Sequence, residues 1–391
     1  MMTDWLNFLQ GTDVVNAVES AINAIAEQGG VVTPAVVRAV RCAPHVPSAE
    51  LGSAVLELAL GTLRARKLGK ALPGWLYTER MAEQCTHPTI ATYHGKAFAN
   101  CERVIEICTG AGHDAAAIAR VASAVSTYES DEVVAAIARG NLVRAGITNA
   151  EIFTEAWSAK NAFEADGYWA DPSRRTLTGR QRSGALYEPP LHSIPTGGVV
   201  GIKVGPGDAV NHSNFCSEFI GFGKECRERI LWRGNTEESV RVTLVDKGVQ
   251  WHPQHGAQPL VVPQANYVIE PHNALIASGA VGAFFAEIGA AVFDPHIAYG
   301  ALNTEPPASP WYSVYRVRKI DAGVSVRRIQ QSIREFGWGA TTIFKKRGWP
   351  NNPEELRRSL HFSEDGPAGV VMIMRVGGAH QTVYATSAES L

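Results

Sequence analysis

The chain has little of what would tie it to a metal, a membrane or an oxidising compartment. Its 391 residues hold six cysteines (42, 85, 101, 108, 216 and 226), and no two stand at C-x-x-C spacing. The absence of that spacing argues against a zinc ribbon or a disulfide framework, so reduced and mostly buried thiols are expected. No uninterrupted apolar run reaches the roughly eighteen residues of a membrane span. Residues 1–10 lack a cationic stretch followed by a long apolar core, so no signal peptide is expected and the chain reads as cytoplasmic. A global surplus of positive charge is also missing, the formal net charge being −2. Positive charge is instead local: from Trp311 to Leu360 there are eleven Lys and Arg against four Asp and Glu. With 45% hydrophobic and 19% charged residues, the composition is that of a globular protein with real cores and room for two or three domains.

What is present is clearest between Val104 and Asp131. Val104–Cys108 is short, apolar and β-branched, as a central parallel strand should be. Gly110 and Gly112 follow, Asp114 opens an alanine-rich helix to Val121, and a second strand from Ala124 to Tyr128 ends on Glu129. Glycines let backbone approach a ligand closely, and a helix N-terminus offers unpaired N–H groups. An acid after the second strand can hold both hydroxyls of a ribose. The pattern predicts a nucleoside-cofactor site.

Two readings of the cofactor compete. Gly110 to Ala115 satisfies G-x-G-x-x-G/A, the dinucleotide fingerprint, with Glu129 near the expected distance. Three features favour S-adenosylmethionine. Glu106 lies inside the first strand, where class I methyltransferases carry an acid. Ala138, Asn141 and Gly146 resemble the A-x-x-N-x-x-x-x-G stretch that follows the ribose acid in many nucleic-acid methyltransferases. Asp171-Pro172 ends the stretch Gly167–Ala170, where such enzymes place a D/N-P-P motif.

The expected organisation has four parts. Residues 1–95 form a helical N-terminal domain, with helices at Val14–Gln28, Pro34–Val40 and Ala49–Arg64 and with Thr33, Ser48 and Thr78 as N-caps. The run from Arg64 to Lys70 is either a solvated helix end or a phosphate-contacting patch. Residues 96–260 form the cofactor domain, its third strand Ala150–Ala156, its fifth Gly198–Val204, and strand-like runs at Glu218–Trp232 and Ser239–Trp251. Residues 261–310 are a connector in which Glu270-Pro271 is read as a turn. Residues 311–391 form a small α/β module, with strands at Val314–Arg318, Thr341–Phe344 and Gly369–Arg375 and helices at Ser325–Phe336 and Pro353–Leu360.

From about Trp75 onward the chain resembles a bacterial family of class I methyltransferases with a C-terminal THUMP-like domain. The residues that carry the resemblance are Glu106–Asp114, Asp171–Arg175, Lys203–Gly207, Gly223–Glu228, Tyr267–Pro271, Lys345–Gly348 and Pro353–Arg357. The cofactor half is also similar to trimethylguanosine synthase, but departs from its Pro-Pro-Trp motif with Pro172-Ser173-Arg174-Arg175. The resemblance implies an α/β fold: a Rossmann-like class I methyltransferase sheet, an N-terminal helical domain and a small C-terminal α/β domain. It implies S-adenosylmethionine as cofactor, held by Glu106, Thr109, Gly110, Gly112, Asp114, Glu129, Ser130, Glu155, Ala156 and Asp171. No metal and no membrane partner are expected.

The expected activity is N-methylation of a base in RNA. Asp171 would accept a hydrogen bond from the target amine, Pro172 would stiffen the loop, and Arg174 and Arg175 would clamp a substrate phosphate or pair with surface acids. RNA binding is expected at Arg327, Arg328, Lys345, Lys346, Arg347 and Trp349, cations beside aromatics that either stack on bases or form the module's core. Cys226, with cations nearby in sequence, is weighed as a thiolate nucleophile of the kind used in 5-methyluridine formation, against a structural role. His252 and His255 are read as a loop rather than a metal site, and His113 as a cofactor contact or a surface turn. The alternatives are a methyltransferase of a small molecule or protein, and a non-catalytic cofactor-binding RNA-binding protein.

Overall fold

A computed structural model describes the chain except residues 1, 47, 159, 161–164, 174, 177–178, 181–186, 211–213, 235–237, 255–257 and 389–391. It divides into two compact units: Met1–Cys216 with Ile230–Glu237, and Ser217–Arg229 with Glu238–Leu391.

The first unit begins with six helices: α1 (Met2–Gln10), α2 (Asp13–Glu27), α3 (Pro34–Arg41), α4 (Ala49–Lys67), α5 (Glu79–Gln84) and α6 (Pro88–Gly95). Thr33, Ser48 and Thr78 cap α3, α4 and α5 as expected, each side chain accepting the N–H three residues on. In α2, Val14, Ala17, Val18, Ala21, Ile22 and Ile25 make the single buried face that its apolar spacing predicts. Gly61 in α4 lets the following segment lie against the helix, since a Cβ there would sit 2.1 Å from the Tyr77 carbonyl. The same core takes in Trp75, Leu76 and Tyr77 together with Ala111 and Ala115.

Five parallel strands follow in this unit: β1 (Arg103–Ile107), β2 (Ala124–Tyr128), β3 (Ala150–Phe153), β4 (Gly167–Ala170) and, after the short pair β5 (Arg175–Thr176) and β6 (Gly179–Arg180), β7 (Val199–Val204). They lie in the order β7-β4-β1-β2-β3, with α7 (His113–Ala119) and α8 (Glu132–Arg144) as the crossovers from β1 to β2 and from β2 to β3. The order reverses at β1, so the carboxyl ends of β1 and β4 meet where ligands bind in open α/β sheets. Two boundaries differ from expectation. β3 stops at Phe153, which leaves Glu155 beyond the strand, and α7 starts at His113 and ends two residues before Val121.

The second unit holds β8 (Cys216–Phe222) from Ser217 on, the first half of β9 (Glu225–Arg233), β10 (Val240–Leu244) and β11 (Val249–Trp251). Its larger sheet has the order β13-β14-β12-β15-β18-β17-β16, built from β12 (Tyr267–Pro271), β13 (Ala291–Val292), β14 (Gly300–Leu302), β15 (Tyr312–Ala322), β16 (Ile343–Arg347), β17 (Val370–Val376) and β18 (Ala379–Ser387). Its helices are α9 (Asn273–Ala277), α10 (Val281–Glu287), α11 (Val326–Phe336) and α12 (Pro353–Arg358). Pro271 does not make a turn. It is the last residue of β12, opposite Tyr312, and a strand end tolerates its missing N–H. In α11 the buried Ile329, Ser332 and Ile333 face inward, Arg327, Arg328 and Arg334 do not, and Gly337 closes the helix with φ +64°.

Candidate active site

The glycine turn begins with a sharp reversal at Cys108, a non-glycine residue with φ +71°. The N–H groups of Cys108 and Thr109 both reach the Tyr128 carbonyl, at 3.0 and 3.2 Å, and this fixes the turn to the end of β2. The strain of such a residue needs surrounding structure to hold it, and it is typical of ligand-contacting turns. Gly110 follows with φ +55°, and a Cβ added there would meet nothing within 4 Å. Its N–H donates to Glu129 Oε2 at 3.0 Å, while Glu129 Oε1 accepts the Asp131 N–H at 3.1 Å. The result is an open face of backbone with a half-buried carboxylate beside it.

Beneath the turn the predicted acid Glu106 is fully enclosed, 1% exposed. Thr127 donates to its Oε2, and Thr109 meets the Thr127 hydroxyl. Burial pushes the Glu106 carboxyl well above the carboxylate range. The Thr127 hydrogen bond opposes this, and the negative charge of Asp114, Asp171 and Glu129 adds to it. Asp114 also faces inward: its Oδ1 takes His94 Nδ1 at 2.9 Å and its Oδ2 takes the Thr86 hydroxyl. Burial alone would raise this acid, but the His94 hydrogen bond and charge, then Lys203 and Thr86, bring it down to about 2.

The segment upstream of the sheet is tied to the turn through two side chains. Asn141 in α8 accepts the Leu76 N–H at 2.9 Å and donates to the carbonyls of Leu76 and Ala111, each at 3.1 Å. His113 is buried, so the expected surface or cofactor-facing histidine is corrected to an internal brace. Its Nδ1 donates to the Thr86 carbonyl at 2.6 Å and its Nε2 meets the Tyr77 hydroxyl at 2.9 Å. Burial lowers its basicity, against the pull of the Thr86 carbonyl.

Asp171 follows β4, its N–H bonded to the Ile107 carbonyl at 3.1 Å, which sets it beside the end of β1. Its Oδ2 accepts from Lys203 Nζ at 3.0 Å, and the same ammonium donates to Thr86 Oγ1 at 2.9 Å. The sequence pattern gave Lys203 no role, although a lysine inside the apolar strand Val199–Val204 is a charge that must find a partner. Pro172 is buried. Ser173 exchanges backbone hydrogen bonds with Glu188, at 2.8 and 3.1 Å, which brings the chain after residue 186 back against the loop. Arg174 lies outside the described residues, and of Arg175 only the backbone, in β5, is described.

The remaining expected positions are spread out. Ser130, Glu155 and Ala156 are exposed beyond the ends of β2 and β3. Arg64 pairs with Glu83, Arg66 with Glu19, and Lys70 donates to the carbonyls of Glu83 and Cys85, so this cationic run is largely spent on internal pairing. Cys226 is the reverse of an activated thiol: burial, then Glu228 and Glu225, push it up to about 12. No metal-holding group of His, Cys, Asp and Glu occurs among the described residues, and His255 lies outside them.

In the second unit, Lys345 and Arg347 project from one face of β16 to Glu270, at 2.6 and 3.5 Å, and Arg347 also lies over the Tyr299 ring. Lys346 points the other way and is exposed, as are Arg327 and Arg328. Trp338 and Phe344 are core residues, and Trp349 packs against that core.

No protein-family model matches the sequence. The chain is 28% identical over 344 residues to an uncharacterized S-adenosylmethionine-dependent methyltransferase of Mycobacterium tuberculosis, the same in two strains, covering 82% of this chain and 92% of that protein. Among solved structures it is similar to a candidate methyltransferase from Porphyromonas gingivalis, with a TM-score of 0.74 at 16% identity over 97% of this chain and 99% of the other. With the parallel order β7-β4-β1-β2-β3 and the glycine turn after β1, that likeness gives the chain a Rossmann-like methyltransferase fold.

Proposed function

We propose that the chain is an S-adenosylmethionine-dependent methyltransferase that methylates a nitrogen of a base in RNA. The observation that carries the reading is the pairing of the open Gly110 backbone, with Glu129 beside it, and Asp171 at the carboxyl end of the adjacent strand. The cofactor supplies a methyl group already activated on a sulfonium. Glu129 suits the ribose hydroxyls, and Glu155 the adenine amine. The enclosed Glu106 and Asp114 support this pocket from below rather than lining it. Asp171 accepts an N–H of the target amine, holding the nitrogen lone pair toward the methyl. The proton lost on methylation leaves through that hydrogen bond, and the methylated nitrogen ends neutral.

The RNA part rests on the second unit. Arg327, Arg328 and Lys346 stand exposed, the arrangement expected of a phosphate-contacting module of THUMP-like type. Its buried aromatics remove base stacking by Trp338 and Phe344 from that reading. Tritium transfer from labelled S-adenosylmethionine to total RNA, to a small-molecule extract and to protein is the test. Label in RNA that disappears with Asp171→Ala, while S-adenosylhomocysteine still binds, is the expected result. Label in the extract or in protein alone would replace the substrate class. Full turnover by Asp171→Ala would remove its role.

A further inference from the structure

Lys203 occupies a position that an isolated charge cannot hold. It follows Ile202, which pairs with Ala170 across the parallel strands β7 and β4, so it stands level with Asp171. Its side chain is only 7% exposed. A buried ammonium costs several kcal/mol unless it is paired and hydrogen-bonded. Two of its partners differ in character. Thr86 Oγ1 lies at 2.9 Å, and that hydroxyl is itself held by the buried Asp114, which His94 holds in turn. Asp171 Oδ2 lies at 3.0 Å on a side chain that is 31% exposed. The rear of the ammonium is thus anchored in the core and its front reaches the partly open carboxylate.

We propose that Lys203 is a positioning residue for Asp171: it fixes the orientation of the carboxylate and keeps it ionised while it accepts the target N–H. The inference rests on the reading of Asp171 given above. Among the described residues, groups that act electrostatically on Asp171 include Glu106 and Cys108 from β1 and its turn and Lys203 from β7, while Asp114 and Cys85 act on Lys203. Burial holds Glu106 and Cys108 toward their neutral forms, whereas the Lys203 ammonium is a full opposite charge in hydrogen-bond contact with Asp171. An opposite charge at this distance favours the ionised acid, and its removal favours the protonated one.

The test compares Lys203→Met and Lys203→Arg with the wild-type chain. With total RNA as acceptor, Lys203→Met should lower kcat at least tenfold and leave KM for S-adenosylmethionine and the Kd of S-adenosylhomocysteine within about twofold. The acid limb of its pH–rate profile should move up by about one pH unit. Lys203→Arg should recover most of kcat. Independently of turnover, carboxyl-labelled aspartate, with the Asp171 signal assigned by difference against Asp171→Asn, should titrate at higher pH in Lys203→Met. Thr86→Val, which removes the rear anchor together with that hydroxyl's bond to Asp114 but leaves the ammonium in place, should shift that titration the same way by less, and it serves if Lys203→Met does not fold. An Asp171 titration unchanged by Lys203→Met overturns the inference, as does loss of S-adenosylhomocysteine binding in step with turnover. Should Asp171→Ala be inactive while Lys203→Met behaves as wild type, this inference alone falls. Should Asp171→Ala be active, the reading beneath it falls.

Discussion

Replacing Asn141 by Ala should be among the most damaging single changes in the first unit. The amide is completely buried and ties three backbone groups: the N–H and carbonyl of Leu76 and the carbonyl of Ala111. It also accepts from Arg144 at 3.0 Å. Leaving a buried donor or acceptor without its partner costs about 1–3 kcal/mol per group, so the three backbone groups set a loss of about 3–5 kcal/mol after partial relaxation. For a domain of this size each kcal/mol lowers Tm by roughly 2–4 °C, which gives a fall of about 6–20 °C. Asn141→Leu fills the space without replacing either function and should do no better than Ala. Asn141→Asp keeps the acceptor for the Leu76 N–H but loses the donor and buries a charge, and should also be destabilised. Thermal melts followed by circular dichroism measure the first effect. Calorimetry with S-adenosylhomocysteine measures the second: because Leu76 and Ala111 flank the glycine turn, affinity should fall at least tenfold at a temperature where the variant is folded. An Asn141→Ala chain within about 0.5 kcal/mol of wild type would refute the reasoning, since that is the range of an inconsequential surface change.

Gly110→Val should keep the fold, because its Cβ enters open space, at a cost of about 1–2 kcal/mol for a left-handed backbone. It should lose S-adenosylhomocysteine affinity by tenfold or more in calorimetry, and unchanged affinity would place the cofactor elsewhere. Glu106 has a folded pKa raised above the ordinary 4.5, so the folded state holds its proton more tightly and stability is lost as pH rises above 4.5. Glu106→Gln lacks that titration, so its Tm relative to wild type should climb as the pH of the melts rises above 4.5 and level off once the pH passes the raised folded pKa, and parallel curves throughout would contradict the burial argument. Charge reversal of Arg327, Arg328 and Lys346 should weaken RNA binding and reduce its salt dependence, with only a small fall in Tm from the lost hydrogen bonds of Arg328 to the Ala322 carbonyl and Lys346 to the Asn351 carbonyl. Lys345→Ala should instead lower Tm, since it takes one of two cations from the half-buried Glu270.

How far the sequence foretold this molecule depended on whether the determining contacts were local. The helices α2 to α5 and the strand–turn–helix from Val104 to Ala119 were legible because caps, apolar spacing and glycine act within a few residues. The same reading missed β18, although Gly377-Gly378 joins it to β17 as a two-residue hairpin and only its other partner, β15, is distant in sequence, and it took Glu270-Pro271 for a turn because a strand end and a turn tolerate proline equally. The site shows the same divide. Gly110, Glu129 and Asp171 were expected at the site from motif position, and the structure sets them around one turn and its neighbouring strand end. Motif position says which residue stands at a strand end but not which way its side chain turns, so Glu106 and Asp114, expected at the cofactor, are enclosed beneath the glycine turn. The cationic motif Lys345-Lys346-Arg347 splits for the reason that every strand alternates: two of its members share one face and reach Glu270 across the sheet, and the third takes the other face. Lys203 was the available clue to this hidden layer. A charge within a buried parallel strand demands an anion, and Asp171, one strand over at the end of β4, stood where an anion was needed.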